Sequence, residues 1–222
     1  MNDRRFKSAI FDMDGTIIDS MGIWKDLAAA SFEKNNIAVP DDLEHKIFTM
    51  TFTEAADFCI KLTGLNISPD ELVDEWSRKA MIYYKTDIPF KPYAAEFIRY
   101  LKDLGMKISL TTSNFYDVAV DVLKRKEIFG LFDSITSTQE VTRSKRYPDV
   151  FLLSSQRLGV DPRDCIVFED SYASVLGAKD AGMFVIGVYD KYASHAQEKI
   201  RKEAHSYIMT FKELLNNDAF FA

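Results

Sequence analysis

After residue 92 the sequence alternates short apolar runs with amphipathic stretches, and this alternation constrains the fold more than any other feature. Tyr93 to Leu104 has helical spacing and is closed by Gly105, the residue that most readily takes the left-handed turn at a helix end. Met106 to Thr111 reads as a strand, Asp117 to Arg125 as a helix, and Leu131 to Thr136 as a strand. Pro148 to Leu158 is a helix closed by Gly159, and Cys165 to Phe168 is a strand. Ala173 to Ala181 follows as a helix and Phe184 to Val188 as a strand. His195 to Glu203 is helical, Ser206 to Met209 a short strand, and Phe211 to Asn216 a last helix. With Lys7 to Asp12 as a buried opening strand, the pattern predicts an α/β fold, a parallel sheet covered by helices on both faces.

Between the opening strand and residue 88 the pattern is different. Trp24, Leu27, Ala28, Ser31 and Phe32 recur at 3/4 spacing, and Phe58, Ile60, Leu62 and Leu65 do so more loosely. Pro40-Asp41-Asp42 and Ser68-Pro69-Asp70-Glu71 place acids where helices begin. No strand is expected there. The block reads as a helical insertion: a core from residues 1–18 and 88–222, and a helical cap domain from residues 19–87. The hinges are expected near Asp19–Ser20 and Thr86–Pro92. A chain of 222 residues, 47% hydrophobic, can bury one such core and a smaller second one.

Sheets of this kind bind ligands beyond the carboxyl ends of their strands. Asp12-Met13-Asp14-Gly15 follows the apolar run Ala9-Ile10-Phe11. Acids at i and i+2 share one side of an extended chain. Two such carboxylates are costly to hold together without a cation, most simply a hard divalent metal with oxygen ligands. A solvated Asp-rich turn is the plainer reading of so short a string. Thr112-Ser113-Asn114 ends a middle strand, and hydroxyls and free N–H groups before a helix N-terminus make an anion site. An ordinary helix N-cap by Ser or Asn is the alternative. Lys145, in a basic cluster, is a candidate fixed charge for a phosphoryl oxygen, or else a solvated lysine. Glu169-Asp170 follows the buried run Ile166-Val167-Phe168, as metal ligands or as an exposed loop.

Composition narrows the partners. A formal charge of −6 and a pI near 5.2 argue against nucleic acid. They leave room for a small anionic substrate, because a metal and a few basic groups reverse the local sign. Cys59 and Cys165 sit in apolar surroundings without a CxxC pattern, as reduced core residues of a cytoplasmic protein do. The N-terminal stretch has no apolar signal core, and no run approaches the ~18 residues that span a bilayer, so no membrane partner is expected. The dinucleotide-binding, P-loop, HExxH and GxSxG patterns are absent.

Taken in order, these signals give the chain its likeness. It resembles the haloacid dehalogenase-like (HAD) hydrolase superfamily, in the phosphatase and β-phosphoglucomutase-like branch with an inserted helical cap. The residues that carry the resemblance are Phe11 to Ser20, Thr112-Ser113-Asn114, Lys145 to Phe151, Val167 to Ser171, and Gly177 to Gly182. Two positions depart from the family pattern: Arg146 stands where a proline is common, and Ser174 where a glycine is. The resemblance implies a Rossmann-like three-layer core. It implies Asp12 as a nucleophile forming an aspartyl-phosphate, and Asp14 as the acid–base. It implies Mg²⁺ held by Asp12, the Asp14 carbonyl and Asp170, with Glu169 in support. Thr112, the Ser113 N–H and Lys145 would bind the phosphate.

The reaction expected is hydrolysis of a small phosphorylated metabolite by a monomer or small homo-oligomer. A β-phosphoglucomutase-type phosphomutase is the alternative, but Ile47 to Glu54 contains no Lys or Arg to grip a second phosphate. Trp24 also stands where the mutase branch places a histidine. Met21, Trp24, Thr51 and Phe52 are expected to face the leaving group, with cap core as the plainer reading of Phe52. A non-enzymatic phospho-acceptor module is a further alternative. Such modules carry the acceptor on a middle strand and lack a helical insert.

Overall fold

Six apolar runs form one parallel sheet in the computed structural model, which describes residues 6–47, 50, 52–215 and 217–221. The strands are β1 (Ser8–Phe11), β2 (Lys107–Thr112), β3 (Ser134–Ser137), β4 (Cys165–Glu169), β5 (Phe184–Val188) and β6 (Ser206–Ile208), in the order β3-β2-β1-β4-β5-β6. The chain reverses direction across the sheet between β3 and β4, so β1 lies at the switch point. Register sets what gathers there. Phe11 pairs with Leu110 on one side and Phe168 on the other. The next residues along each strand, Asp12, Thr111 and Glu169, therefore emerge level with one another.

Strand alternation distributes the core. Ile10 and Val167 face one way and pack with α7 (Asp149–Leu158), α8 (Tyr172–Asp180) and α9 (Gln197–Glu203), through Phe151, Val175 and Ile200. Phe11 and Phe168 face the other way, stacked at 4.7 Å. Phe97 of α5 (Ala94–Asp103) meets Phe168 edge-on at 5.3 Å and stacks on Phe211 at 5.2 Å. Aromatic pairs of this geometry contribute about 0.5–1.5 kcal/mol each beyond their burial. Both faces are thus covered, and the fold is Rossmann-like α/β.

Residues 20–88 form a compact unit of their own, while residues 1–19 and 89–222 form the other. The smaller unit contains α1 (Gly22–Glu33), α2 (Leu43–Ile47), α3 (Phe52–Thr63) and α4 (Pro69–Tyr83), with no strand among its described residues. Helix α4 begins with a full capping box: Ser68 accepts from the Glu71 N–H, and Glu71 accepts from the Ser68 N–H at 2.8 Å. Within the larger unit, the two passages that lead to and from the insert pair with each other. Asp19 N–H donates to Pro89 O at 2.9 Å and Lys91 N–H to Ile17 O at 2.8 Å.

Three segments differ from the sequence expectation. The strand expected over 131–136 begins only at Ser134, after a 3₁₀ turn at Phe129–Leu131. Asp133 accounts for the offset: its carboxylate accepts the Ile108 N–H at 2.7 Å and pairs with Lys102, which ties the strand's start to that residue. The expected helix at 195–203 is a 3₁₀ turn, Lys191–Ala196, followed by α9. The expected last helix is a 3₁₀ turn, Phe211–Leu214, capped by Thr210 and Glu213; a further short helix, Asp218–Phe221, follows. Among the described residues, no helix is long and apolar enough to cross a membrane.

Candidate active site

Strand β1 ends at Phe11, so Asp12 and Asp14 lie in the loop beyond it rather than on extended strand. Their placement comes from backbone bonds. Asp12 N–H donates to Phe168 O at 3.0 Å, which holds Asp12 against the end of β4. Gly15 takes φ 83°, a region costly for other residues, and its N–H closes the loop on Ile18 O at 2.9 Å. Asp12 is 7% exposed, and Asp14 is half-buried.

Lys145 lies buried beside Asp12. Its Nζ donates to Asp12 Oδ1 at 2.6 Å and to Thr111 O at 3.1 Å, and it forms an ion pair with Glu169. Burial by itself favours the neutral amine. The Asp12 and Glu169 charges outweigh it and hold the ammonium well above its usual range. Glu169 Oε2 accepts the Ser171 N–H at 3.2 Å, and Asp170 Oδ1 accepts from Thr16 Oγ1 at 3.2 Å.

Asp12, Glu169 and Asp170 each offer a carboxylate oxygen within 4.8 Å of the others. Three formal negative charges therefore share a buried space with one ammonium. The crowding registers in the proton affinity of Glu169 and Asp170. Burial pushes Glu169 up to about 7, with Asp12 adding to the shift and Lys145 opposing it. Burial, then the Asp12, Glu169 and Asp190 charges, raise Asp170 well above the carboxylate range. A hard divalent cation would relieve this imbalance, and the all-oxygen donor set fits one. Asp190 is itself neutralised by Lys91 at 2.7 Å in a second buried pair.

Thr112 is buried and Ser113 exposed at the end of β2. Thr112 Oγ1 accepts the Asn114 N–H at 3.0 Å, which leaves its own proton to donate. The expected helix N-cap by Ser or Asn is not what forms. The N-cap of α6 (Tyr116–Arg125) is Phe115, with no side-chain bond, and Asn114 turns its side chain toward Asp14. Met21 precedes α1. Trp24 and Phe52 pack on each other within the helical unit at 4.5 Å, with Phe52 54% exposed. Thr51 lies outside the described residues.

The structure thus brings together Asp12, Lys145, Glu169 and Asp170, with Asp14 in the loop after β1 and Thr112 at the end of β2. Sequence reasoning missed the role of Thr16 as donor to Asp170, although that residue lies inside the motif itself. It named Gly177 within the motif but gave it no role. A Cβ there would run into the Lys145 carbonyl and come within 2.9 Å of Arg146 C and 3.0 Å of Tyr147 O. Only a glycine lets α8 pack so closely on the loop that presents Lys145. Of the two departures from the family pattern, Ser174 fits locally: its N–H and hydroxyl both bond Ser171 Oγ at the start of α8.

Known proteins agree with this architecture. The chain is 28% identical over 192 residues to the validoxylamine A 7'-phosphate phosphatase of Streptomyces hygroscopicus subsp. limoneus, covering 86% of this chain and 89% of that one. It is 28% identical over 193 residues to the β-phosphoglucomutase of Bacillus subtilis, covering 82% and 83%. A crystal structure of a HAD hydrolase from Entamoeba histolytica shares the fold, with a TM-score of 0.78 at 20% identity over 96% of this chain and 97% of that one. The family model of the haloacid dehalogenase-like hydrolases matches residues 6–182, and the chain belongs to that family of enzymes.

Proposed function

We propose that the protein is a Mg²⁺-dependent phosphomonoester phosphatase acting on a small phosphorylated metabolite through an aspartyl-phosphate. The observation that carries this reading is the contact of the buried Asp12 carboxylate with Lys145 Nζ at 2.6 Å, beside two further buried carboxylates. A carboxylate so placed is held in one orientation by its ammonium partner.

In the first step an Asp12 oxygen attacks phosphorus. The bond from Asp12 to phosphorus forms as the bond to the ester oxygen breaks, and Asp14 gives its proton to the leaving alkoxide. In the second step water attacks phosphorus, passes its proton to Asp14, and frees Asp12 and inorganic phosphate. Thr112 Oγ1, the Ser113 N–H and Lys145 hold the non-bridging oxygens in both steps. Asp12, the Asp14 carbonyl and Asp170, with Glu169 in support, would hold Mg²⁺, which when bound offsets the charge that repels an anionic nucleophile.

The test is phosphate release, with Mg²⁺, from a panel of sugar phosphates, phosphoglycolate and nucleoside monophosphates. Asp12→Asn serves as the blank. Release by the wild type alone supports the reading; wild-type turnover by Asp12→Asn removes the nucleophile. The 28% identity to a β-phosphoglucomutase warrants a bisphosphate-primed arm with β-glucose 1-phosphate. Formation of glucose 6-phosphate there would make the protein a mutase instead.

A further inference from the structure

We infer that Asn114 is a positioning residue for the Asp14 carboxylate, a role that rests on the phosphatase reading above. Asn114 lies in the loop between β2 and α6, and its bonds leave its side chain little freedom. The backbone N–H donates to Thr112 Oγ1 at 3.0 Å, and the carbonyl accepts from Ser137 Oγ at 2.7 Å. The side-chain Oδ1 accepts from the Phe115 N–H at 3.0 Å. An amide whose oxygen is engaged in this way must turn its NH₂ to the other side. There Nδ2 lies 3.5 Å from Asp14 Oδ2. That is the long limit of a hydrogen bond, and catalytic hydrogen bonds commonly tighten once substrate is bound.

The anchor reaches well behind the loop. The Ser137 N–H donates to Glu140 Oε1 at 2.9 Å. Arg157 of α7 clasps both oxygens of Glu140, at 3.0 and 2.5 Å, and donates to Ile135 O at 3.0 Å. A continuous run of bonds therefore leads from α7 through Glu140, Ser137 and Asn114 to Asp14. The N-cap residue of α6 is Phe115, which makes no side-chain capping bond; Asn114 Oδ1 accepts the N–H of that residue and not one from the first turn of the helix. The arrangement fixes the rotation of the Asp14 carboxyl, which decides how often its proton points at the leaving oxygen. The step affected is the first transfer: the Asp12–phosphorus bond forms, the ester bond breaks, and the Asp14 proton passes to the departing oxygen.

The experiment compares kcat/KM for phenyl phosphate and p-nitrophenyl phosphate in the wild type, Asn114→Leu and Asn114→Ala. This ratio reports only steps through the first irreversible transfer, so hydrolysis of the aspartyl-phosphate does not enter. p-Nitrophenolate departs without a proton, whereas phenolate benefits from one. In both variants kcat/KM for phenyl phosphate is expected to fall about tenfold or more, and that for p-nitrophenyl phosphate less than about threefold. Equal losses on the two esters overturn the assignment, because a disturbed loop or weaker phosphate binding does not distinguish leaving groups. Leu keeps the length of the side chain, and Ala covers the case in which the Leu variant does not fold. A wild type that releases phosphate from neither ester and from no member of the metabolite panel overturns the phosphatase reading and this role with it.

Discussion

Gly177 of α8 lies directly against the carbonyl of Lys145, so closely that no larger residue fits without moving the loop. The helix that follows Glu169-Asp170 thereby sets the position of the cation that neutralises Asp12 and Glu169. Gly177→Ala is expected to cost about 1–3 kcal/mol of stability, the usual range for overpacking. It should also lower phosphatase turnover by displacing Lys145 from Asp12. Gly130→Ala is the control: a Cβ there meets nothing within 4 Å, and its stability should stay within about 0.5 kcal/mol of the wild type. A fully active Gly177→Ala protein would mean that the loop yields without moving the lysine.

Removing the cation should be worse than crowding it. Lys145→Met leaves Asp12 and Glu169 buried beside Asp170 without their ammonium. Breaking a buried ion pair from one side costs about 3–5 kcal/mol. That loss is expected in denaturant melts of metal-free protein, together with a fall in turnover of at least about 100-fold. Lys145→Met/Glu169→Gln should recover part of the stability but none of the turnover. Strict additivity of the two changes would show that they do not share one electrostatic network.

Much of this site was legible in the sequence because strand ends are. An apolar run that stops at an acid, as at Phe11-Asp12 and Phe168-Glu169, marks both a strand and what emerges from it. Contacts between distant loops were not legible. Asn114 reads as a helix cap, yet its side chain reaches Asp14, 100 residues away, while Thr16 bonds Asp170 across 154. Nothing in the string Val175-Leu176-Gly177-Ala178 says which residue of α8 faces the Lys145 loop. The offset of β3 escaped for the same reason, since Asp133 sets it through Ile108 and Lys102.

Metal binding should appear as stability before any substrate is known. A ligand that binds only the folded state at 100 times its Kd adds about 2.7 kcal/mol. Mg²⁺ is therefore expected to raise the Tm of the chelator-treated wild type in a concentration-dependent way. Asp170→Asn removes a carboxylate that lies within 4.8 Å of two others, and should lose most of that response. An unchanged Mg²⁺ response in Asp170→Asn would place the ion elsewhere.

The metal-free protein should also show an unusual pH dependence. Burial pushes Glu169 from its ordinary value of 4.5 up to about 7. Between those values the folded chain keeps a proton that the unfolded chain has released. Stability therefore falls as pH rises through this window, and the Glu169 contribution is fully lost above about 7. That sign is opposite to the one produced by a carboxylate with a depressed pKa. Asp170 is raised for the same reason and adds to the slope, but it is present in both proteins compared. The Tm of the wild type in chelator should thus decline from about pH 4.5 to about pH 7 more steeply than that of Glu169→Gln. Mg²⁺ should flatten the wild-type curve, because a bound cation favours the carboxylate form. Parallel curves for the two proteins would mean that Glu169 releases its proton at an ordinary pH, with Lys145 fully offsetting its burial.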